Sequence, residues 1–586
     1  MKIGAFLLWI LLLSIVVSCK KELYDGVNPN GIKKQGLSNL SATPGLPSSL
    51  SGYNVVPAYV DEFNSINNSE WMYRNGYAGN SIGGGSKPSL VTAHNDTLHI
   101  AYKKIADTLD GGGLLSKHLF GYGYYTIKAK LYNATAGLHQ SFWSIGVDDS
   151  PYYTTPQTDS LPYFNNIQEI DGFEVESETT NIIGQNFHTG YPTKVDYAHS
   201  TSGHNTAVWF TAGFEWVPGK IRYYINGAKV DSLSYQQTYS PASILITALP
   251  RPNIVSRYPN GIPDPSPGAE MLVDYVQYYN KEMDNVNLIG NASFEYNNQF
   301  AGHTKYSSFV NHPLSWIVSP NITYTVGASQ LHADVSGTDT LWRLQLGSSG
   351  AYQTLTHQNL EYIPNGYYTL TAHVKASTSA PVASLQALPN TFLTGTLPSL
   401  PDSLKANMAL TPNQWTPIVI PNIHVTNGNL SVALYANGLA NQTVLIDSLD
   451  LENVNNHQVL VDNSGSGFTT SDTSWISYTS VPGFYGSNYL AVPGAGHWAQ
   501  WTPNIPSTGS YNVYMRWTAN SNRSSAIPIT IYASGNTSTV TINQQIKGAA
   551  WVYLGTYNMS GGTSNYVKLN TTANWNVADA VLFVKN

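Results

Sequence analysis

The run Glu169-Ile170-Asp171-Gly172-Phe173-Glu174 places three carboxylates within six residues, in a chain of 586 residues where Asp, Glu, Lys and Arg together make only 11%. On a strand, side chains alternate between faces, so Glu169 and Asp171 point one way and Glu174 would point the other. One extra residue restores the parity, and glycine tolerates the backbone this needs. The spacing predicts a β-bulge across Gly172-Phe173 with all three acids on one face. Clustered carboxylates suit hydrolysis of a glycosidic bond, in which one attacks and another protonates the leaving oxygen. Allowing for the bulge, the Glu169 and Glu174 backbones stand roughly 13 Å apart at ~3.3 Å per residue. Long side chains leaning over Asp171 can narrow this to the ~5–5.5 Å of a retaining pair. Glu169 is then expected ionised, as the nucleophile, and Glu174 protonated, as the acid, with Asp171 helping to hold the two states apart. Two alternatives stay open: a solvated polar strand, and a shifted register in which Glu174, Glu176 and Glu178 form the working face.

The elements that must carry these acids read as strands. In Tyr124 to Leu131 the apolar Tyr125, Ile127, Ala129 and Leu131 share a face opposite Thr126, Lys128 and Lys130. The run Lys220 to Ile225 leads into Asn226-Gly227, a type I′ hairpin signal, and then Ala228-Lys229-Val230. Abundant Gly (49) and Pro (32), with Asn, Ser and Thr throughout, suit short strands joined by turns. The expected fold is all-β, built of sandwiches. At 63.9 kDa the chain is too large for one core. We expect a first unit at 51–282, a second at 285–455 and a third at 457–586. The second carries exposed-looking aromatics (Trp316, Trp342, Tyr352) and no dense group of acids. A net charge of -7 argues against nucleic acid as a partner.

Residues 1–19 read as a secretion signal: Lys2, the apolar run Ile3 to Val17, then Ser18-Cys19. The run is short for a membrane span. Cys19 is the one cysteine, so no internal disulfide can form. Val16-Val17-Ser18-Cys19 resembles a bacterial lipobox, which implies lipidation of Cys19. The following Lys20-Lys21-Glu22 has no Asp at its second position, which by resemblance favours the outer membrane, facing the cell surface or the periplasm. Residues 20–50, rich in Gly, Asn, Ser and Pro, are expected to form a flexible tether.

The acidic run, with hydrophobic Ile170 between Glu169 and Asp171 and two residues before Glu174, resembles the strand motif of glycoside hydrolase family 16. The bulged form is that of the family's laminarinases, agarases and carrageenases. The likeness extends in order through Asp61-Glu62-Phe63-Asn64, Phe120 to Tyr125, Gly137 to Trp143, Phe187-His188, Phe214-Glu215-Trp216, Ile225-Asn226-Gly227 and Leu272 to Val276. It implies a concanavalin A-like jelly-roll sandwich, with Glu169 as nucleophile, Asp171 as assisting acid and Glu174 as acid/base. It further implies that Trp143 and His188 contact substrate, that catalysis requires no cofactor, and that Asp274 helps to hold a structural calcium ion. The segment Val147 to Asn166 departs from the family pattern, as does Gln168 before the first Glu, which leaves the choice of glycan open. The ends of the second unit resemble jelly-roll carbohydrate-binding modules. The third unit, in Val461 to Ser464, Pro482 to Tyr489 and Ala578 to Val584, resembles the golvesin/xanthan-lyase type of carboxy-terminal sandwich, which implies glycan attachment.

Together these features lead us to expect a secreted, lipid-anchored, monomeric, endo-acting retaining hydrolase of a β-glucan or β-galactan. Its partners would be the polysaccharide and, through the anchor, the outer membrane. A catalytically dead glycan-binding or adhesion lipoprotein is the alternative. A lyase is suggested only by the third unit.

Overall fold

The structure, a computed structural model, describes most of residues 46–585; the longer stretches outside it are 1–45, 77–84, 148–163, 251–257, 296–312 and 319–328. The expected signal, Cys19 and most of the tether lie outside the described residues, as does most of the Val147–Asn166 segment. The chain divides into two units, Met1–Leu50 and Ser51–Asn586. The described part of the first is a turn in which the Leu50 N–H donates to the Pro47 carbonyl at 2.8 Å.

The second unit is antiparallel β-structure throughout its named strand pairs, and its acidic strand belongs to a seven-stranded sheet. The strands of that sheet are, in chain order, β1 (Trp71–Tyr73), β2 (Gly112–Ser116), β3 (Leu138–Val147), β4 (Phe164–Glu176), β5 (Ile182–Thr189), β6 (Val195–Ser202) and β7 (Ala242–Pro250). They lie side by side in the order β6-β5-β4-β3-β7-β2-β1. An eight-stranded sheet includes Gly123–Lys130, Phe210–Val217, Lys220–Ile225, Ala228–Ser234 and Glu270–Asn280. The alternation expected in Gly123–Lys130 is met: Tyr125, Ile127 and Ala129 are fully buried and Lys130 is exposed. The hairpin at Asn226-Gly227 has φ of 49° and 76°, the left-handed pair that an Asn-Gly turn supplies with little strain.

Between these sheets lies an apolar core. Ile170, Phe173 and Val175 of β4 point into it, with Phe142 of β3, Phe187 of β5 and Phe214 from the opposing sheet. Tyr125 stacks on Phe214 with centroids 4.5 Å apart. Each such buried side chain contributes about 1.5–3 kcal/mol, so the cleft-face residues of β4 are fixed by what its core-face residues bury.

Two five-stranded sheets follow within residues 317–453, and four-, five- and three-stranded sheets within 458–585. Trp316 and Tyr352, exposed-looking in the sequence, are buried, and Trp342 is half-buried. Trp316 packs on Phe294 at 5.3 Å, and the Tyr352 hydroxyl donates to the Gln442 carbonyl at 2.9 Å. Aromatics with such partners serve the core; the run of residues around them carried no sign of the opposite strand.

The first and second sandwiches share one apolar cluster running from Tyr59 to Leu451. At their junction Phe120 stacks on Tyr362 at 5.1 Å. His118 lies between Glu70, 2.8 Å away, and Glu361. Burial disfavours the charge on His118, but the two carboxylates outweigh it and push its pKa up to about 10.

Candidate active site

The cleft face of β4 is defined by its pairing. Before the bulge, Glu169 lies opposite Ile145 and Asp171 opposite Trp143; beyond it, Phe173 lies opposite Phe142 and Glu174 opposite Ser141. The other neighbour, β5, shows the same one-residue slip between Asp171 and Glu174. Gly172 is therefore an extra residue against both neighbours at once. Gly172 and Phe173 both meet the core, and Glu169, Asp171, Glu174 and Glu176 all face the cleft. A Cβ at position 172 would lie 2.9 Å from Phe142 Cδ1 and 3.0 Å from Phe214 Cδ1, which is why glycine stands there.

Asp171 is 2% exposed, whereas Glu169 and Glu174 are part-exposed. His188 of β5 pairs with Glu169 across the ladder, and its Nε2 lies 3.3 Å from Asp171 Oδ2. Its Nδ1 is 2.8 Å from Asp196 Oδ1 on β6, which fixes the ring's orientation. The hydrogen bond to Asp171 is the main reason that the His188 pKa is pushed up, to about 9. Trp143 also faces the cleft: its Nε1–H donates to Thr247 Oγ1 at 3.2 Å, and the Arg74 guanidinium lies 5.7 Å from its ring centroid. These five sequence-derived residues, Glu169, Asp171, Glu174, Trp143 and His188, thus occupy one face of three adjacent strands.

Asp274 does not join them. It lies on Glu270–Asn280 in the other sheet, at a slip in the ladder between Val273 and Tyr275, and its carboxylate pairs with the Lys128 ammonium. Calcium takes six to eight oxygens. Among the described residues, the group with three ligand atoms close enough for one metal ion is Glu169, Asp171 and His188, and none gathers at Asp274. The Asp274 carboxylate meets the cationic Lys128, and a calcium ion there would draw its further oxygens from backbone carbonyls.

The electrostatics reverse the expected protonation states. Burial, and then the charge of Asp171, push Glu169 up to about 8. Burial raises Asp171 to about 6, with His188 opposing. The two carboxylates titrate as a pair that retains a proton well above the usual carboxylate range. Burial alone would raise Glu174 also, but the hydrogen bond and charge of His139, with His188 and the Asn186 amide, together outweigh it and hold Glu174 below the usual value. In the free cleft Glu174 is therefore the ionised carboxylate, where protonation was expected.

Two residues that produce this reversal were not singled out from the sequence. His139 of β3 places Nε2 2.9 Å from Glu174 Oε1 and Nδ1 3.2 Å from Glu176 Oε1. Asn186 of β5 donates its amide to Glu174 Oε2. His139 shares parity with Trp143, four positions on, so the signal that it faces the cleft was present in β3. The shifted register is resolved as well: Glu176 does face the cleft and engages His139, while Glu178 lies beyond the end of β4 and accepts a hydrogen bond from Tyr258.

Residues 83–275 match the family model of the glycosyl hydrolases family 16. The first sandwich is a family 16 domain. Residues 459–585 match the Golvesin C-terminal domain. The third sandwich is similar to part of a xanthan lyase from Bacillus sp. (strain GL1), 36% identical over 135 residues, 22% of this chain and 14% of that protein. The family 16 domain is similar to a β-glucanase from Acetivibrio thermocellus, 26% identical over 234 residues, 36% of this chain and 65% of the β-glucanase. The chain thus spans less than two thirds of either relative. Among solved structures, porphyranase B from Zobellia galactanivorans is matched at 15% identity and a TM-score of 0.33, over 40% of this chain and 97% of that one. The Bacillus licheniformis β-glucanase is matched at 20% identity and a TM-score of 0.31, over 38% of this chain and 96% of that one.

Proposed function

We propose that this protein is an endo-acting, retaining β-glycan hydrolase that cleaves by double displacement. The observation that carries the reading is the bulge at Gly172, which turns Glu169, Asp171 and Glu174 onto one cleft face within a family 16 domain. Acids in this order, with a histidine fixed beside them, supply the nucleophile and the proton donor that the reaction needs.

In this mechanism Glu169, pushed up to about 8 by burial and by the neighbouring Asp171, gives up the proton the pair shares before it attacks. His188, held by Asp196, keeps Asp171 in place. Glu169 then attacks the anomeric carbon while Glu174 gives a proton to the leaving glycosidic oxygen. A water, deprotonated by the same Glu174, releases the glycosyl group from Glu169 in the second step. Trp143 offers an aromatic surface for a sugar ring beside the acids. The likeness to a β-glucanase makes a β-glucan the first substrate to test.

We further assign the chain to the outer membrane as a lipoprotein anchored through Cys19. The supports are Lys2, the apolar run Ile3 to Val17 and the lipobox-like Val16-Val17-Ser18-Cys19. The second and third sandwiches would then hold the family 16 domain near insoluble glycan.

The test is reducing-end release from laminarin, mixed-linkage glucan, agarose, porphyran and carrageenan. Glu169→Gln should lower the rate on the accepted glycan by orders of magnitude, because no covalent intermediate can form. Tight binding across the panel with no release by the unaltered protein would overturn the reading in favour of a binding protein.

A further inference from the structure

The cleft holds a cationic ring that the catalytic scheme does not use. His139 stands between two carboxylates, with Nε2 2.9 Å from Glu174 Oε1 and Nδ1 3.2 Å from Glu176 Oε1. A neutral imidazole has one N–H to give, and a carboxylate has none. With both carboxylates ionised, satisfying both contacts takes the imidazolium, donating at each nitrogen; with Glu174 protonated, its O–H donates to the neutral ring instead. Asn186 supplies a donor to the remaining oxygen of Glu174, so both oxygens of that carboxylate are held by groups that favour its anion. The expected acid of the reaction is thus stored without its proton, and the missing proton sits one hydrogen bond away.

From β4, Glu174 and Glu176 meet the ring directly, and Asp171 and Glu169 lie further along the same face. From β5, Asn186 and His188 flank Glu174, with Asp196 of β6 behind His188. From β7, the residues in register with His139 and Leu138 are the apolar Leu249 and Pro250. Tyr102 lies close enough to Glu176 to feel its charge.

We propose that His139 is the positioning residue that holds the acid/base proton for Glu174, so that the working acid is the His139–Glu174 pair. This rests on the hydrolase reading above. In the step itself the His139 Nε2–H bond breaks, its electron pair stays on nitrogen, and an O–H bond forms at Glu174 Oε1. The products are a neutral imidazole and a protonated carboxyl, with no further reactant. Glu174 then passes a proton to the glycosidic oxygen, and recovers one from water in the second half of the reaction.

The arrangement answers a difficulty that the cleft otherwise poses. Burial and mutual repulsion let the Glu169–Asp171 pair become fully ionised only above about pH 8, since Asp171 is raised to about 6 and Glu169 to about 8. Glu174, with its pKa below the usual range, would by then have lost its own proton. His139, pushed up to about 10 by Glu174 and Glu176 against the effect of burial, still carries one. A pair that keeps its proton this far is competent where the nucleophile is ionised.

The experiment compares pH profiles of kcat/KM for the full chain and for His139→Gln on the glycan it hydrolyses. The basic limb should fall by more than about one pH unit in the variant, since Gln can bond Glu174 but carries no transferable proton. His139→Ala should regain activity near pH 8 on addition of free imidazole. A basic limb that stays in place, or moves up, overturns the proposal, because a histidine that merely holds Glu174 as an anion would raise that limb when removed. Ring ¹⁵N NMR of histidine-labelled protein, with His139→Gln to assign the signal, provides a readout independent of turnover. The ring should remain doubly protonated through pH 8, and should titrate lower in Glu174→Gln. A His139 ring that titrates near 6.5 overturns the proposal. Absence of activity in the unaltered protein would instead overturn the hydrolase reading, with the NMR result still deciding the state of the pair.

Discussion

Replacing Gly172 tests whether the bulge is what aims the acids. In Gly172→Ala the new methyl carbon would stand 2.9 Å from Phe142 Cδ1, 3.0 Å from Phe214 Cδ1 and 3.2 Å from the Phe142 carbonyl oxygen. Both rings are fully buried, and Phe142 is in the ladder with Phe173, so neither can simply swing away. Overpacking of this kind costs about 1–3 kcal/mol. The strain is relieved most readily by moving β4 toward the cleft, which carries Glu174 with it. A misplacement of ~1 Å at a reacting group lowers the rate by about 10²-fold. Urea unfolding followed by tryptophan fluorescence, with kcat/KM by reducing-end release, measures both effects. Deletion of Gly172 is the informative counterpart. Phe173 would then follow Asp171 directly and keep its partner Phe142, and Glu174 would keep Ser141, because the slip is one residue against both neighbours. The deletion variant should fold and retain activity within about ten-fold, since parity is preserved. An Ala inserted between Phe173 and Glu174 reverses the parity and should abolish activity. If Gly172→Ala matches the parent in stability and rate, or if the deletion is as damaging as the insertion, the bulge argument is wrong.

The junction and the cleft wall give two further expectations. His118→Gln leaves Glu361, with 1% of its side chain exposed, without its cationic partner, and should destabilise the protein by about 3–5 kcal/mol in equilibrium unfolding. Because the folded-state pKa of His118 is raised to about 10, its contribution is complete below pH 6.5 and is lost as pH rises from 6.5 toward 10. The parent and His118→Gln should therefore converge in stability at alkaline pH, and parallel curves across that range would contradict the assignment. Trp143→Ala should raise KM for the accepted glycan more than it lowers kcat, as read from initial rates; an effect confined to kcat would exclude a role in holding sugar.

The bulge could be read from the sequence because parity is a local property: three acids, one intervening glycine and a strand period of two point to it, while the shifted register through Glu176 and Glu178 is closed only by the strand pairing. The hairpin at Asn226-Gly227 was legible for the same reason, since the left-handed conformation is written into two adjacent residue types. The clamp on Glu174 was not. It joins His139 of β3 and Asn186 of β5 to a carboxylate between them, and the register that brings them together is set by the core faces of three strands, not by any one segment. Without that clamp, the like charge of neighbouring acids favoured a protonated Glu174; with it, two donors favour the anion. The same limit explains Trp316 and Tyr352, whose burial depends on partners at Phe294 and Gln442. It also explains why the Lys128 partner of Asp274, on another strand, was not read from the sequence.

The central claim is hydrolysis with retention by the acids of β4. Proton NMR of the anomeric signals during the first minutes of hydrolysis of mixed-linkage β-glucan tests it most directly. The account predicts that the β anomer appears first and then equilibrates with the α form, with no product of either kind from Glu169→Gln. First appearance of the α anomer, or an undiminished rate in Glu169→Gln, would contradict it.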